Sequence, residues 1–304
     1  MPLNRRDWLR LNASVGLALM GTHSFAAEPP IRLGFSLYGM KALKTADALK
    51  TCANIGYDCV ELSLLPGYAT EPKLLSVQDR RDLRKQLQDL NLTLPALMEN
   101  LREPTDDAGA KMNEDRLKVA SELAHELAPA APPVIETILG GKPADWPMVK
   151  NRMVERMGAW ADIAGKGKTV IAIKAHVANA LHTPEDAIWL ISQVKSPWLK
   201  LTYDHSHFAL EGRKLADTAK AMLPESVFVH VKDEKGMPGK FEFLLPGTGT
   251  TDYREYARLL RAASYGGGVV VEVSGQIFNK PGYDPIAAAK LCYEKLKPAL
   301  VQAA

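Results

Sequence analysis

Of eight short apolar runs, six end in side chains able to do chemistry. Glu61 closes the second run and Glu136 the fourth, while Lys174 and His176 close the fifth. Asp204 and His207 follow Leu199-Lys-Leu-Thr-Tyr203, His230 and Lys232 lie in Val227-Phe-Val-His-Val-Lys232, and Glu272 sits in Val269-Val-Val-Glu-Val273. Asp204, His230 and Glu272 together offer two carboxylates and one imidazole, a mixed oxygen and nitrogen set suited to one divalent ion such as Mn, Zn, Co or Mg. Three protein ligands leave positions for substrate oxygens, so such an ion could polarise a carbonyl or stabilise an enediolate. Each polar residue, taken alone, could also simply satisfy a strand end near solvent.

These side chains need a scaffold that gathers strand ends. From Ile31 onward, short apolar runs alternate with longer amphipathic ones, the pattern of parallel strands joined by helical crossovers. The expected strands are Leu33–Leu37, Cys59–Leu62, Leu92–Leu97, Val134–Ile138, Val170–Lys174, Leu199–Tyr203, Val227–Val231 and Val269–Val273. Helix starts are marked at Thr45, Ser76, Thr183-Pro184 and Asp284-Pro285, and helical spacing runs through Asn113–Leu127, Val149–Ala164 and Tyr253–Ala263. Eight such units in one domain predict an α/β fold, a (β/α)₈ TIM barrel, whose active site lies at the C-terminal ends of the strands. An open doubly wound sheet is the competitor, but no glycine-rich dinucleotide loop follows the first strand. Side chains two apart on a strand share a face, so Lys174 pairs with His176 and His230 with Lys232; which face points inward is not readable from sequence. The segment Asp233 to Asp252 is long and rich in Gly and Pro, and is expected to be a loop able to lie over the barrel mouth as a substrate lid.

Composition narrows the function classes. The 304 residues are 46% hydrophobic and 24% charged with a net charge of +3, an ordinary globular balance. The basic residues are scattered rather than gathered, so nucleic acid is not an expected partner. Asn4-Arg-Arg-Asp-Trp-Leu-Arg10, the mildly apolar stretch to Phe25 and the small residues around Ala26 read as a signal peptide of twin-arginine type over residues 1–27, leaving 28–304 as the barrel. A periplasmic or secreted protein with no membrane anchor after signal removal is therefore expected. Cys52, Cys59 and Cys292 are an odd count without a CxxC and are expected to be buried free thiols.

The chain also resembles the xylose-isomerase-like TIM barrels, the sugar phosphate isomerase/epimerase family. The resemblance runs from Ile31 to the C-terminus. It is carried by Gly56-Tyr-Asp-Cys-Val-Glu-Leu62, Ala180-Leu-His-Thr-Pro-Glu-Asp186, Asp204-His-Ser-His207, His230-Val-Lys-Asp233, Leu245-Pro-Gly-Thr-Gly249 and Val271-Glu272. It implies one divalent metal held by Glu, Asp, His and Glu from the fifth to the eighth strands. Asp204, His230 and Glu272 match three of those positions, and His207 matches a histidine that commonly contacts substrate. The first glutamate falls on Lys174, which removes one of the two carboxylates that the family's epimerases use as an acid/base pair. A cation there would repel a metal. Lys174 could be a general acid or base, could contact the substrate or form a Schiff base, or could leave His176 or Glu136 to complete the ligand set. The site could also be degenerate and only bind sugar.

The expected function is an exported, metal-dependent sugar isomerase or epimerase that abstracts a proton next to a carbonyl. Its substrate would be a non-phosphorylated or keto-sugar. Lys174, Glu272 and His207 are the expected catalytic residues, and Asp204, His230 and Glu272 the metal ligands. Glu136, His176, Lys232 and Glu61 are the expected substrate contacts. A lyase or hydratase acting on a keto-sugar and a non-catalytic carbohydrate-binding barrel are the alternatives. The partner is a small carbohydrate, and a homo-oligomer is allowed.

Overall fold

A computed structural model describes residues 31–103 and 106–301. The expected signal segment, residues 1–27, lies outside the described residues. Eight parallel strands close into a barrel: β1 (Arg32–Ser36), β2 (Cys59–Ser63), β3 (Thr93–Met98), β4 (Val134–Thr137), β5 (Ile171–Lys174), β6 (Leu199–Tyr203), β7 (Ser226–Val231) and β10 (Gly268–Val271). Closure is made by β1 pairing with both β2 and β10. The (β/α)₈ TIM barrel expected from the alternation is thus the observed fold, with each strand within two residues of its expected start.

The helices begin where local chemistry caps them. Ser76 and Asp79 form a reciprocal capping box at α2 (Val77–Asp89), Thr183 accepts from the Asp186 amide at α5 (Pro184–Val194), and Asp284 accepts from the amides of Ile286 and Ala287 at α10 (Pro285–Val301). Thr45, expected as a cap, is instead the first residue of α1 (Thr45–Ile55), whose cap position is held by Lys44 without a side-chain bond. Asp106 caps α3 (Asp107–Leu127), six residues before its apolar spacing becomes regular, and α4 spans Trp146–Gly167. The remaining helices are α6 (His205–Ala209), α7 (Leu215–Met222), α8 (Tyr253–Ala262) and α9 (Gly275–Phe278).

Inside the barrel, the period-two rule of strands stacks two different layers. Cys59, Ala96, Ala172, Phe228 and Val270, from five strands, pack on one another as a small apolar plug. Two residues further along four of those strands stand Glu61, Lys174, His230 and Glu272, so they share the inward face. Gly34 on β1 belongs to the lower layer: a Cβ there would meet the Cys59 sulfur at 2.5 Å and a Val270 methyl at 2.9 Å. The alternate residues, among them Ile171, Ile173, Leu201, Val229, Val231 and Val271, face the surrounding helices.

The segment after β7 corrects the expectation of a loop. Asp233–Met237 (β8) and Lys240–Leu244 (β9) form an antiparallel hairpin over the C-terminal mouth. Its base is fixed by Asp233, whose carboxylate accepts from the amides of Gly247 and Gly249 at 2.9 and 2.7 Å and from the Tyr253 hydroxyl at 2.9 Å. Phe243 is tied across the mouth by its amide donating to Gln276 Oε1 at 2.8 Å. Cys52, Cys59 and Cys292 are buried free thiols, as expected. Among the described residues no helix is long and apolar enough to cross a membrane.

Candidate active site at the barrel mouth

The upper layer of the barrel is an ion cluster with almost no contact with solvent. Lys174, at the last position of β5, places Nζ 3.0 Å from His230 Nδ1, 3.0 Å from Glu272 Oε2 and 3.1 Å from Glu136 Oε1. Lys232, two residues beyond His230 on the same inward face, donates to Asp204 Oδ2 and, at 2.5 Å, to Glu272 Oε2. Glu272 therefore bridges the two ammonium groups. Its side chain is 12% exposed, whereas those of Lys174, Lys232, Asp204, His230, Glu61 and Glu136 are 3% or less. A substrate entering from the mouth meets Glu272 first.

The protonation states follow from the partners. An ammonium has only donors, so His230 Nδ1 accepts from Lys174 and its Nε2 carries the proton, which it gives to Glu61 Oε2 at 3.0 Å. Burial works to lower the pKa of the Lys174 ammonium, but the carboxylates of Glu136, Glu272, Asp204 and Glu61 outweigh it and raise the pKa overall. Burial works in the opposite direction on Asp204 and Glu272, and again the cations win. Lys232 holds Asp204 well below the usual carboxylate range, and Lys174 and Lys232 do so for Glu272. Glu136 is the exception: wholly buried, it has its pKa raised by desolvation despite Lys174. Neither of its oxygens has a hydrogen-bond partner of good geometry, so the Lys174 ion pair is its main compensation.

His207 lies one turn into α6 with Nδ1 accepting from the Val177 amide and Nε2 aimed at Asp204 Oδ2, 3.4 Å away. Burial and the nearby Lys232 depress its pKa to about 4, so it is neutral at ordinary pH. Asp204 is held by its own helix start, accepting from the Ser206 hydroxyl at 2.6 Å.

Of the residues expected from sequence, Asp204, His230 and Glu272 do converge, with one donor atom from each within 4.8 Å of the others. Lys174, Lys232 and His207 lie among them. Glu61 and Glu136, expected at the substrate, are instead sealed within the cluster at 0% exposure, Glu61 holding His230 and Glu136 facing Lys174. His176 does not complete the ligand set: it lies past the end of β5, its ring 4.1 Å from that of His207 and its Nδ1 taken by the Ala178 amide.

Four aromatic residues of the mouth escaped sequence reasoning. Phe243 of the hairpin packs on His207 at 5.1 Å between ring centroids and covers the Lys232 ammonium at 4.9 Å. Tyr38 stacks on Tyr68 at 5.7 Å and meets the edge of Phe278 at 4.9 Å. The Tyr38 pKa is raised by burial and by the Glu272 carboxylate. Stacked aromatic faces suit the apolar face of a sugar ring.

The donor set can be tested for a divalent ion on these distances. An ion bonded at about 2.2 Å to Glu272 Oε2 would lie within about 5 Å of both ammonium nitrogens, because these are 3.0 and 2.5 Å from the same oxygen. At an effective dielectric constant of about 20, each lysine then opposes the ion by about 7 kcal/mol. All three donors would also have to give up their lysine partners. With Lys174 and Lys232 charged, the residues do not fit a divalent ion.

The sequence profile of the xylose isomerase-like TIM barrels matches residues 49–292. The chain belongs to the xylose isomerase-like TIM barrel family. Among solved structures it is similar to the IOLI protein with a binding zinc atom, with a TM-score of 0.73 at 19% identity, covering 88% of this chain and 99% of the other. It is similar also to 3-keto-D-glucoside 4-epimerase from E. coli, with a TM-score of 0.68 at 16% identity, covering 88% and 99%. Among curated sequences, inosose dehydratase of Lactiplantibacillus plantarum is 24% identical over 167 residues, 50% of this chain and 55% of that protein. The chain spans between 26% and 55% of the length of the curated relatives it matches. The family neighbourhood thus holds epimerases and a dehydratase, and a zinc-bound member.

Proposed function

We propose that this protein is an exported carbohydrate-modifying enzyme that moves a proton at the carbon next to a carbonyl of a non-phosphorylated keto-sugar. The observation that carries this reading is the placement of Glu272. It is the one carboxylate of the cluster that reaches the opening, and it is kept ionised between two ammonium groups at the C-terminal mouth of the barrel. In the first step the substrate C–H bond breaks, its proton passes to the Glu272 carboxylate, and its electron pair forms the carbon–carbon double bond as the carbonyl electrons move to oxygen. Lys174 and Lys232 donate hydrogen bonds to that oxygen as charge develops on it. Neutral His207, with Nε2–H facing the site, can orient a substrate hydroxyl. Return of the proton to the neighbouring carbon or to the opposite face gives isomerisation or epimerisation.

A second reading shares this first step and then expels a β-hydroxyl, with an ammonium supplying its proton, as a carbon–oxygen lyase. What favours it is Lys174 itself: elimination needs one base and one acid, and the cluster presents to the opening one carboxylate and two ammoniums rather than two opposed carboxylates. The dehydratase among the relatives supports the same reading. Export is proposed on the Arg5-Arg6 segment.

The test is hydrogen exchange from deuterated water into 3-keto-D-glucosides, ketohexoses and inososes, followed by mass spectrometry. Wild type should label at least one of these at the carbon beside the carbonyl, and Glu272→Gln should slow labelling by roughly 10²–10⁴-fold, the range of a lost general base. Labelling that survives Glu272→Gln unchanged would remove Glu272 from the mechanism. A water-elimination product in place of labelled substrate would select the lyase.

A further inference from the structure

We infer that the ammonium groups of Lys174 and Lys232 together occupy the place that the Asp204, His230 and Glu272 set offers to a cation, so that this chain works on its substrate with two protein cations and no divalent ion. The claim about the cations stands on the geometry of the cluster; their use on a substrate oxygen rests on the function proposed above.

All three donor atoms already face an ammonium. His230 Nδ1 and Glu272 Oε2 each lie 3.0 Å from Lys174 Nζ, Asp204 Oδ2 accepts from Lys232, and Glu272 Oε2 accepts from both. The lysines are not surface groups that happen to fold inward. Each is 3% exposed, Lys174 entering from the last position of β5 and Lys232 from the single residue between β7 and β8, and both head groups are held inside the cluster by their carboxylate partners. Glu136 makes the arrangement specific to a lysine: it is fully buried, faces Lys174 at 3.1 Å, and has no other partner of good geometry for either oxygen. A chain keeping a metal at Asp204, His230 and Glu272 has no use for a counter-charge aimed at residue 174.

Two further contacts place the second lysine. Phe243 lies over Lys232 Nζ at 4.9 Å, an aromatic face turned to a cation. Asp233, the next residue, is fixed by three hydrogen bonds to the return of the hairpin, which anchors the backbone that carries Lys232. The result is a preorganised pair of donors, the arrangement by which enzymes stabilise a developing oxyanion without reorganising at the moment of reaction. Lys174 and Lys232 share Glu272, so the base and the two cations move as one unit.

The experiment measures metal and exchange separately. Protein expressed in medium supplemented with Mn and Zn is analysed for metal content, titrated with Mn²⁺ and Zn²⁺ by calorimetry, and assayed for deuterium exchange before and after chelator. Wild type should carry well under one equivalent of metal, show no saturable binding at the site, and keep its exchange rate within twofold after chelation. Lys174→Glu, which supplies a fourth acidic or imidazole donor, should take up one divalent ion per chain. Should Lys174→Glu fail to fold, Lys174→Met should bind Mn²⁺ at least tenfold more tightly than wild type. One equivalent of metal in wild type that is lost in Asp204→Ala would overturn the inference, as would folded Lys174→Glu and Lys174→Met proteins that bind metal no better than wild type. Absence of exchange on every sugar, with metal content as expected, would sink the proposed activity and leave the cation assignment standing.

Discussion

The two layers inside the barrel share four strands and the same spacing, roughly 7 Å apart, yet they obey opposite rules. The lower layer of Cys59, Ala96, Ala172, Phe228 and Val270 is held by contact alone and contains one aromatic among small side chains. The upper layer of Glu61, Glu136, Lys174, His230 and Glu272 is held by ion pairs at 3.0 to 3.5 Å, shielded from water except at the Glu272 carboxylate. The lower layer needs volume to match; the upper needs charge to match. A barrel that satisfied only the first rule would fold as well and do nothing, so the second is where function has been placed.

The comparison is tested most severely by removing one charge from the upper layer. Lys174→Met leaves Glu136 buried without its partner and should lower the urea-unfolding free energy by about 3–5 kcal/mol, the cost of an unpaired buried charge. Adding Glu136→Gln should return more than half of that loss. A single variant as stable as wild type would mean that the upper layer is not governed by charge matching.

Acid should act next, at a buried group outside both layers. Burial holds the pKa of His205, whose Nδ1 faces the Thr218 hydroxyl at 3.0 Å, at about 4, against an ordinary value near 6.5. Because the folded pKa is the lower one, the unfolded chain binds more protons between these values. Stability should therefore hold above pH 6.5, fall as pH drops towards 4, and flatten below. The gap is worth roughly 3 kcal/mol. Urea titrations of wild type and His205→Gln across this window should differ in slope by that amount; parallel curves would locate the acid sensitivity elsewhere.

The lower layer gives the smallest effect. Ala172→Leu overfills the plug without touching a charge and should cost about 1–3 kcal/mol. Its exchange rate per folded molecule should stay near that of wild type, whereas a collapse in activity larger than the stability loss would show that the plug positions the ions above it.

The barrel was legible because parallel strands and crossover helices write a strong alternation into sequence, and because Ser76, Thr183 and Asp284 announce helix starts locally. The site was legible in outline, since strand ends at a barrel mouth make Glu61, Lys174, Asp204, His230 and Glu272 conspicuous. Their partners were not. Which side of Lys174 faces inward is decided by closure of β1 on β10, an event between residues more than two hundred apart. For that reason Glu61 and Glu136 could be noticed without being recognised as sealed partners of His230 and Lys174, and His176 could be paired with Lys174 by period two although the strand ends before it. The hairpin did leave a signal: Met237-Pro-Gly-Lys240 is a two-residue connection, flanked by Phe241 and Phe243 in alternation, that outweighs the glycine content of the segment. Tyr38, Tyr68 and Phe278 come from three separate connections, and nothing local marks them as one wall.

The hairpin's Phe243 also has an electrical consequence. Its ring is the cover over Lys232 and His207, and it keeps water from that side of the cluster. Attraction between the same charges at the same distances weakens severalfold as water raises the local dielectric constant. The cover therefore sets the strength of the field inside the mouth as well as the shape of its entrance.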